Sequence, residues 1–188
     1  MDRRRVLGLG AAAGIAALLP GRAMAAADPV PVLTNWYKLT LQLVRHTATY
    51  SPPVAARAFG YLGVTAYEAV AACDGAMTSL SGQVNGLTPL STPGAGAHDA
   101  AAVLQAALSG AVAHFFANTG PSGQRALATM TRTLDARVTE GLAPDVAARS
   151  AVLGQAIAAH ICGWADGDGG AVVENMGFPQ SYTAPGDP

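Results

Sequence analysis

Apolar residues recur every three to four positions along five separate stretches of the chain, the spacing of helices that bury one face. No useful length of sequence alternates apolar and polar residues as a half-buried strand does. The pattern therefore predicts an all-α protein, a bundle of about five helices that follows a cleaved signal peptide. The predicted helices cover about residues 35–50, 51–74, 98–118, 122–140 and 144–166.

The second predicted helix is rich in small side chains and is expected to lie deep in the fold. Ser51 can accept hydrogen bonds from the first free amides, and Pro52 suits a first turn, where no amide donor is needed. Both stripes of this helix are mostly apolar, and each interior glycine costs about 1 kcal/mol of helix propensity against alanine. Such a helix forms only where neighbours pack closely around it.

Residues 77–97 separate the second and third predicted helices and have the composition of a loop. They are rich in serine, glycine, threonine and proline, and they include Thr88-Pro89 and Thr92-Pro93. A connection of this length is long for a compact domain. We therefore expect a short helical turn or a functional excursion within it.

The first 25 residues have the pattern of an export signal. Arginines at positions 3–5 precede an apolar run over residues 6–19, and Ala23-Met24-Ala25 forms an A-x-A cleavage site. The paired arginines indicate the twin-arginine route, and the apolar run is shorter than the ~20 residues that span a bilayer. We therefore predict cleavage after Ala25, localisation in the periplasm or outside the cell, and no stable membrane span afterwards.

Removal of this signal leaves a linker over residues 26–34 and a helical domain over residues 35–188. These 163 residues are enough for one domain with a single core. They carry 7 basic and 11 acidic side chains, a net charge of −4. We therefore expect no basic patch for nucleic acid or anionic lipid.

A spaced series of short segments runs through the predicted helices. The segments are Asn35-Trp36, Arg45, Pro52-Pro53, Ala56-Arg57-Ala58-Phe59, Ala66-Tyr67-Glu68-Ala69-Val70, and Ile161-Cys162-Gly163-Trp164-Ala165 followed by Asp166-Gly167. In this order they resemble the N-terminal helical region of bacterial vanadium-dependent haloperoxidases, which share a fold with the type 2 phosphatidic acid phosphatases. For a full-length member, the resemblance implies halide oxidation at bound vanadate or phosphate-ester hydrolysis in the same oxyanion pocket.

The residues with which that family holds its oxyanion do not follow here. The resemblance implies a lysine, an Arg-Pro pair, a Pro-Ser-Gly-His loop, a Ser-Arg pair and a histidine, because a multiply charged oxyanion needs several donors. Lys38 is the only lysine and lies in the first helix, and no Arg-Pro pair occurs. Pro121-Ser122-Gly123-Gln124 has Gln in place of His and is explained by a helix cap at Ser122. We therefore predict no catalytic, cofactor-binding or metal-binding residue in this chain, and no vanadate of its own.

The histidines do not converge by spacing. His98 and His114 lie about 160° apart around one helix, and His160 and Cys162 lie about 200° apart around another. His46 and His98 are expected at the surface, and His114 or His160 near the core. None is predicted as a metal ligand.

Charged residues give two further interpretations. Asp166-Gly167-Asp168-Gly169 is similar to the start of a calcium loop, but Gly177 stands at the twelfth position, so a helix stop is favoured. Arg57 and Glu68 share one face of the second helix, three turns apart. Each is expected to pair with a neighbouring helix, for instance through Arg132 or Asp135.

Cys73 and Cys162 leave two alternatives open. A bridge across about 90 residues would add roughly 4 kcal/mol of stability in the chain-entropy model, and an exported protein meets an oxidising compartment. Small buried thiols in alanine-rich helices are equally natural.

Three functional hypotheses follow. The first is the N-terminal helical scaffold of an exported haloperoxidase-like or acid-phosphatase-like protein, whose partner is its own missing C-terminal half or a second copy. The second is a complete non-catalytic periplasmic helical module that binds a partner or a small molecule. The third is an enzyme with a site around His114, His160 and the acidic residues of the terminal loop.

Overall fold

The computed structural model describes residues 27–90 and 96–171, so the predicted signal peptide over residues 1–25 lies outside the described residues. Within the described residues every regular element is an α-helix, which confirms the all-α prediction of a bundle of about five helices. The helices are α1 Val30–His46, α2 Pro52–Ala71, α3 Ala100–Phe115, α4 Pro121–Thr139 and α5 Pro144–Asp166.

Helix α3 lies at the centre of the bundle. It contacts each of the other four helices, and its most extensive contact is with α5. Ten of its 16 residues are buried, because no charged residue and few polar ones interrupt its apolar surface. Helices α2 and α5 contact each other on one side of α3, and α1 and α4 contact each other as well.

The prediction that the second helix lies deep in the fold is confirmed for only one of its two stripes. Helix α2 buries one stripe, which includes Ala58, Leu62 and Ala69. Its second stripe carries Arg57 and Glu68, which are only partly buried. Those two charged groups require polar partners at the edge of the bundle, so α2 cannot be enclosed on all sides as α3 is.

Glycine allows α3 and α5 to approach closely. A Cβ atom added at Gly154 would lie 2.4 Å from the carbonyl oxygen of Val103 and 2.7 Å from Cβ of Ala106. One added at Gly110 would lie 2.9 Å from Cβ of Ala158. Since these distances are shorter than carbon atoms tolerate, the two backbones pack at a separation that only small residues permit.

A buried polar network connects α1, α3 and α4. Gln105 of α3 is 1% exposed. Its Oε1 accepts a hydrogen bond from Nε1 of Trp36 at 2.7 Å, and its Nε2 donates to Oδ1 of Asp135 at 3.0 Å. The network satisfies an amide and an indole that would otherwise be buried without partners.

Two helix starts differ from the prediction. Helix α1 begins at Val30, so residues 30–34 are helical although a linker was predicted there; Oδ1 of Asp28 accepts from the Val30 amide at 3.0 Å. Helix α4 begins at Pro121 after Gly120, and Ser122 is not its cap. Proline suits the first helical position because the missing amide would have no partner there.

The capping prediction for α2 is only half right. Ser51 occupies the cap position, but its side chain makes no capping hydrogen bond. The side chain that does cap a helix is Asp99, which accepts from the amide of Ala102 at 2.9 Å and starts α3. The prediction that α3 begins at His98-Asp99 therefore holds.

Side chains of α2 and α5 hold the loop between α2 and α3. Glu68 accepts from the amide of Leu80 at 2.6 Å and from the hydroxyl of Ser79 at 2.8 Å. Trp164 donates to the carbonyl of Asn85 at 3.2 Å. Within residues 77–90 the backbone forms turns and no helix, with the Gly82 amide bonded to the Leu87 carbonyl at 2.9 Å.

Among the described helices, α5 alone is long and apolar enough to cross a membrane. The core helix of a soluble protein meets the same criterion, and α5 provides the main packing surface for α3.

Candidate functional site

Arg57 is the centre of a polar cluster at the end of the bundle where α5 stops. Its Nε donates to Oδ2 of Asp168 at 2.9 Å and its Nη2 donates to Oδ1 at 3.1 Å. Nη2 also donates to the carbonyl of Ala165 at 2.7 Å. The planar guanidinium therefore binds both carboxylate oxygens of Asp168 and also satisfies a carbonyl at the C-terminal end of α5, where positive charge is favourable.

Aromatic rings enclose this ion pair. The guanidinium carbon of Arg57 lies 5.2 Å from the ring centre of Tyr61 and 5.7 Å from that of Phe115, within cation–π distance. Tyr61 stacks on Phe115 at 5.7 Å between ring centres and meets Trp164 edge-on at 5.0 Å. The hydroxyl of Tyr61 donates to Oδ2 of Asp168 at 2.8 Å.

These contacts fix the protonation states of the cluster. Burial opposes ionisation of Asp168, but hydrogen bonds from Arg57, Tyr61 and the Gly170 amide lower its pKa below the ordinary value. Burial, followed by the hydrogen bond to Asp168 and its charge, raises the pKa of Tyr61 to about 12. At neutral pH the cluster therefore holds a carboxylate, a guanidinium and a neutral phenol, which bind one another.

Arg57 forms the predicted structural ion pair at the end of a neighbouring helix, but among the described residues Glu68 does not, and neither residue pairs with Arg132 or Asp135, which were given as examples. Arg57 binds Asp168, 111 positions away, and Glu68 binds the loop after α2. Asp135 is taken by Gln105, and Arg132 donates to Thr129 of its own helix at 3.3 Å.

His114 and Asp166 form a second, more exposed pair beside this cluster. Nε2 of His114 lies 3.0 Å from Oδ1 of Asp166, and 38% of the histidine side chain is exposed. His160 instead bonds the carbonyl of Thr88 at 2.8 Å. The site around His114, His160 and the terminal acidic residues therefore does not form as one cluster among the described residues.

The four histidines match the prediction in part. His46 is exposed, as predicted. His98 is half-buried with a shielded Nε2, His114 is exposed, and His160 is half-buried. Within the described ranges, no three histidine, cysteine or acidic side chains are grouped as a metal ion would require.

The acidic run after α5 acts as a helix stop, as predicted. Helix α5 ends at Asp166, whose carboxylate meets His114, and Asp168 is bound by Arg57 and Tyr61. Gly177, the position at which the calcium-loop pattern fails, lies outside the described residues.

Pro121, Ser122, Gly123 and Gln124 form the first turn of α4. Nε2 of Gln124 donates to the carbonyl of Ala117 at 3.0 Å, just after the end of α3. This segment therefore joins two helices.

Cys73 and Cys162 are free thiols. Burial, followed by the charge of Asp166, raises the pKa of Cys162 to about 11. Burial, followed by the charge of Asp99, also raises the pKa of Cys73. Both sulfurs are therefore protonated and poorly nucleophilic at neutral pH.

A groove of about 590 Å³ lies between α1 and α4. We call it the α1–α4 groove; it is lined by Asn35, Leu39, Arg125, Ala126, Thr129, Met130, Thr133, Leu134 and Arg137. A smaller cavity of about 330 Å³ continues it past Leu134 and Arg137 toward Leu142. The α1–α4 groove has the size of a ligand pocket, and its lining contains two arginines and no acidic residue, whereas Asp28 and Glu140 line the adjoining smaller cavity.

Sequence reasoning missed this groove because net charge averages over the whole chain. Five of the 7 basic residues in positions 26–188 lie on α1 and α4: Lys38, Arg45, Arg125, Arg132 and Arg137. The only acidic residue on those two helices is Asp135. The other two cations, Arg57 and Arg149, are paired with Asp168 and Asp145.

No protein-family model, curated protein sequence or solved structure matches this chain. The residues that the structure describes form an all-α bundle of five helices with α3 at its centre.

Proposed function

We propose that this chain is an exported, non-catalytic helical module. The observation that carries the proposal is the state of Arg57, one of the two arginines, with Arg45, within the segments that resemble the haloperoxidases. Its guanidinium binds Asp168 and the carbonyl of Ala165 and lies against two rings. An arginine bonded in this way holds helix ends together and is not available to bind a free oxyanion.

In the first version of this proposal, the module is the scaffold of a haloperoxidase-like or acid-phosphatase-like protein. Other polypeptide would then supply the vanadate or phosphate pocket. Support comes from the resemblance, since Arg57 and Asp168 link its second-helix segment to the stretch after α5. The chain alone would have neither activity.

In the second version, the module is complete and binds a partner or a small molecule. This version is favoured by the enclosure of α3, which is covered by the other four helices. The large apolar side chains exposed among the described residues, Val30, Leu41 and Val152, lie on two different helices and do not form a single cluster. Half of a larger bundle would expose a continuous apolar face.

Two measurements on the purified chain test the proposal. Titration with vanadate, followed by ⁵¹V resonance, should give no tight complex, and assays for phosphate-ester hydrolysis and for halide oxidation by peroxide should give no turnover. Tight vanadate binding or unaided turnover would overturn the proposal. Sedimentation and binding of a hydrophobic dye separate the versions, since a dye-free monomer supports the complete module and a dye-binding aggregate supports the scaffold.

Export is tested separately. Residues 1–25 fused to a reporter should carry it across the inner membrane through the twin-arginine route, and replacing Arg3, Arg4 and Arg5 with lysines should abolish transport. Transport that survives in a strain without that route would contradict this part of the proposal.

A further inference from the structure

We propose that the α1–α4 groove binds an amphipathic helix of a partner protein that carries acidic residues on both sides of an apolar stripe. The inference builds on the proposed function, in its second version, by assigning the class of partner and the surface that receives it.

The floor of the groove has the spacing that receives a helix. Ala126, Met130 and Leu134 recur at intervals of four along α4 and face the groove, and Leu39 lines it from α1. Two helices that meet at an apolar seam form the kind of groove in which a third amphipathic helix packs. Met130 adds a flexible apolar side chain that adapts to different partner residues.

The charge of the groove selects the sign of the partner. Arg125 and Arg137 line it twelve positions apart on α4, about 18 Å along the helix axis. Neither guanidinium has a hydrogen bond or an ion pair with another residue in the described part of the chain. Asp135 lies on the same helix, but it binds Gln105 and does not line the groove. The lining therefore presents two positive charges from positions three turns apart on α4, around a floor that Leu39, Ala126, Met130 and Leu134 make mainly apolar.

That separation favours a helix over a small anion. A ligand with one anionic group engages a single arginine and leaves the other, whose backbone lies about three turns along α4, without a partner in the ligand. Acidic residues eleven or twelve positions apart on a partner helix lie about three turns apart and reach both. Electrostatic complementarity of this kind also speeds association of the correct partner.

The test uses a designed, fluorescein-labelled helical peptide of about 18 residues, with a leucine stripe flanked by glutamates three turns apart. We expect saturable binding to the full chain by fluorescence anisotropy, and weaker binding as salt rises. A charge-reversed peptide with lysines in place of the glutamates should not bind. Failure of the acidic peptide to bind would overturn the inference while leaving the absence of catalysis, and so the proposed function, intact.

Variants of the groove make the test specific. The double substitution R125Q/R137Q should weaken the peptide complex about tenfold, the effect of two surface ion pairs. R132Q removes the same charge from the same helix outside the groove lining and should leave the affinity within about twofold. An equal loss of peptide affinity in R125Q/R137Q and R132Q would overturn the inference, because binding would then depend only on the overall charge of the chain.

Other occupants give different results. Binding of phosphatidylglycerol vesicles or dodecanoate that competes with the peptide and exceeds its affinity would assign the groove to lipid. Concentration-dependent dimerisation abolished by R125Q/R137Q would assign it to a second copy of the chain. Removal of residues 172–188 that raises peptide affinity more than tenfold would assign it to that segment. Each of these results overturns the partner-helix assignment.

Discussion

Nε1 of Trp36 donates a 2.7 Å hydrogen bond to Oε1 of Gln105, although the two residues are 69 positions apart in the chain. Both side chains are 1% exposed. The side-chain nitrogen of Gln105 also donates a hydrogen bond to Asp135 of α4. One residue of the central helix therefore holds both α1 and α4, which form the two walls of the α1–α4 groove.

Removing the amide should weaken this arrangement. Gln105→Leu leaves the indole donor of Trp36 buried without a partner, which costs about 1–3 kcal/mol in the free energy of unfolding. Urea unfolding, followed by tryptophan fluorescence, measures the change. Gln42→Leu, on the exposed side of α1, is the control and should stay within about 0.5 kcal/mol of the original. Equal stability of the two variants would contradict the role of Gln105.

Two glycines of α5 should respond oppositely to alanine. Gly154→Ala places a methyl group 2.4 Å from a backbone oxygen of α3 and should destabilise the fold by about 1–3 kcal/mol or more. Gly163→Ala adds a methyl group in open space and should stabilise α5 by up to about 1 kcal/mol. Thermal unfolding by circular dichroism compares them; a stabilised G154A would show that the helices do not pack this closely.

The pair of Asp168 with Arg57 should appear in the acid dependence of stability. The folded-state pKa of Asp168 lies below its unfolded value of about 3.9, so the pair stabilises the protein above about pH 4. That stabilisation is lost as the pH falls through the folded-state pKa. Asp168→Asn should lower stability at neutral pH by about 1–2 kcal/mol and flatten the acid dependence.

Asp145→Asn provides a matched control for that experiment. Its partner Arg149 lies one turn along the same helix, and the pair is solvent-exposed. The change in stability should be smaller than for Asp168→Asn because water screens exposed pairs. The same loss in both variants would remove the distinction between the two ion pairs.

Tyr61 should be detectable as a late-titrating phenol. Its folded-state pKa of about 12 exceeds the ordinary value of 10.0, so its contribution to stability is complete below about pH 10 and is lost as the pH rises through 12. Absorbance at 295 nm should show late phenol ionisation in the folded chain compared with the unfolded chain, and Tyr61→Phe should remove the step near pH 12 while leaving that of Tyr37, whose pKa burial also raises. Ionisation of all phenols near pH 10 would contradict the bond to Asp168.

The two thiols should react slowly with a thiol reagent, and at different rates. Cys73 is half-buried and Cys162 is buried, so a thiol reagent at about pH 8 should modify Cys73 first. In the denatured chain without reductant, both thiols should react with the reagent at once. If neither thiol reacts, the purified protein carries a disulfide bridge.

The amphipathic pattern was sufficient to predict five helices, because apolar periodicity and helix stops are local properties of the sequence. The centre of the bundle was not predicted, since it depends on α2 keeping Arg57 and Glu68 at its edge while α3 has no charge to keep in water. The partner of Arg57 could not be identified either. Asp168 lies 111 positions away, and nothing in the local pattern joins the two.

The start of α1 shows a smaller local failure. Asp28 and the prolines beside it were interpreted as a lead-in, but the same residues satisfy the first amides of a helix and place Val32 in the core. The α1–α4 groove was missed for a different reason. Its two arginines are both on α4, but the apolar floor beside them exists only where Leu39 of α1, far away in sequence, packs next to that helix.

Because α3 packs mainly on α5, the core of the protein can be completed only after α5 has been synthesised. Residue 115 leaves the ribosome about 50 residues before Asp166, so at roughly 5–20 residues per second the side of α3 that packs on α5 stays uncovered for several seconds. During that interval α3 is a target for holding chaperones and for aggregation. Substitutions in α5 should therefore change the yield of folded chains in the cell as well as their stability once folded.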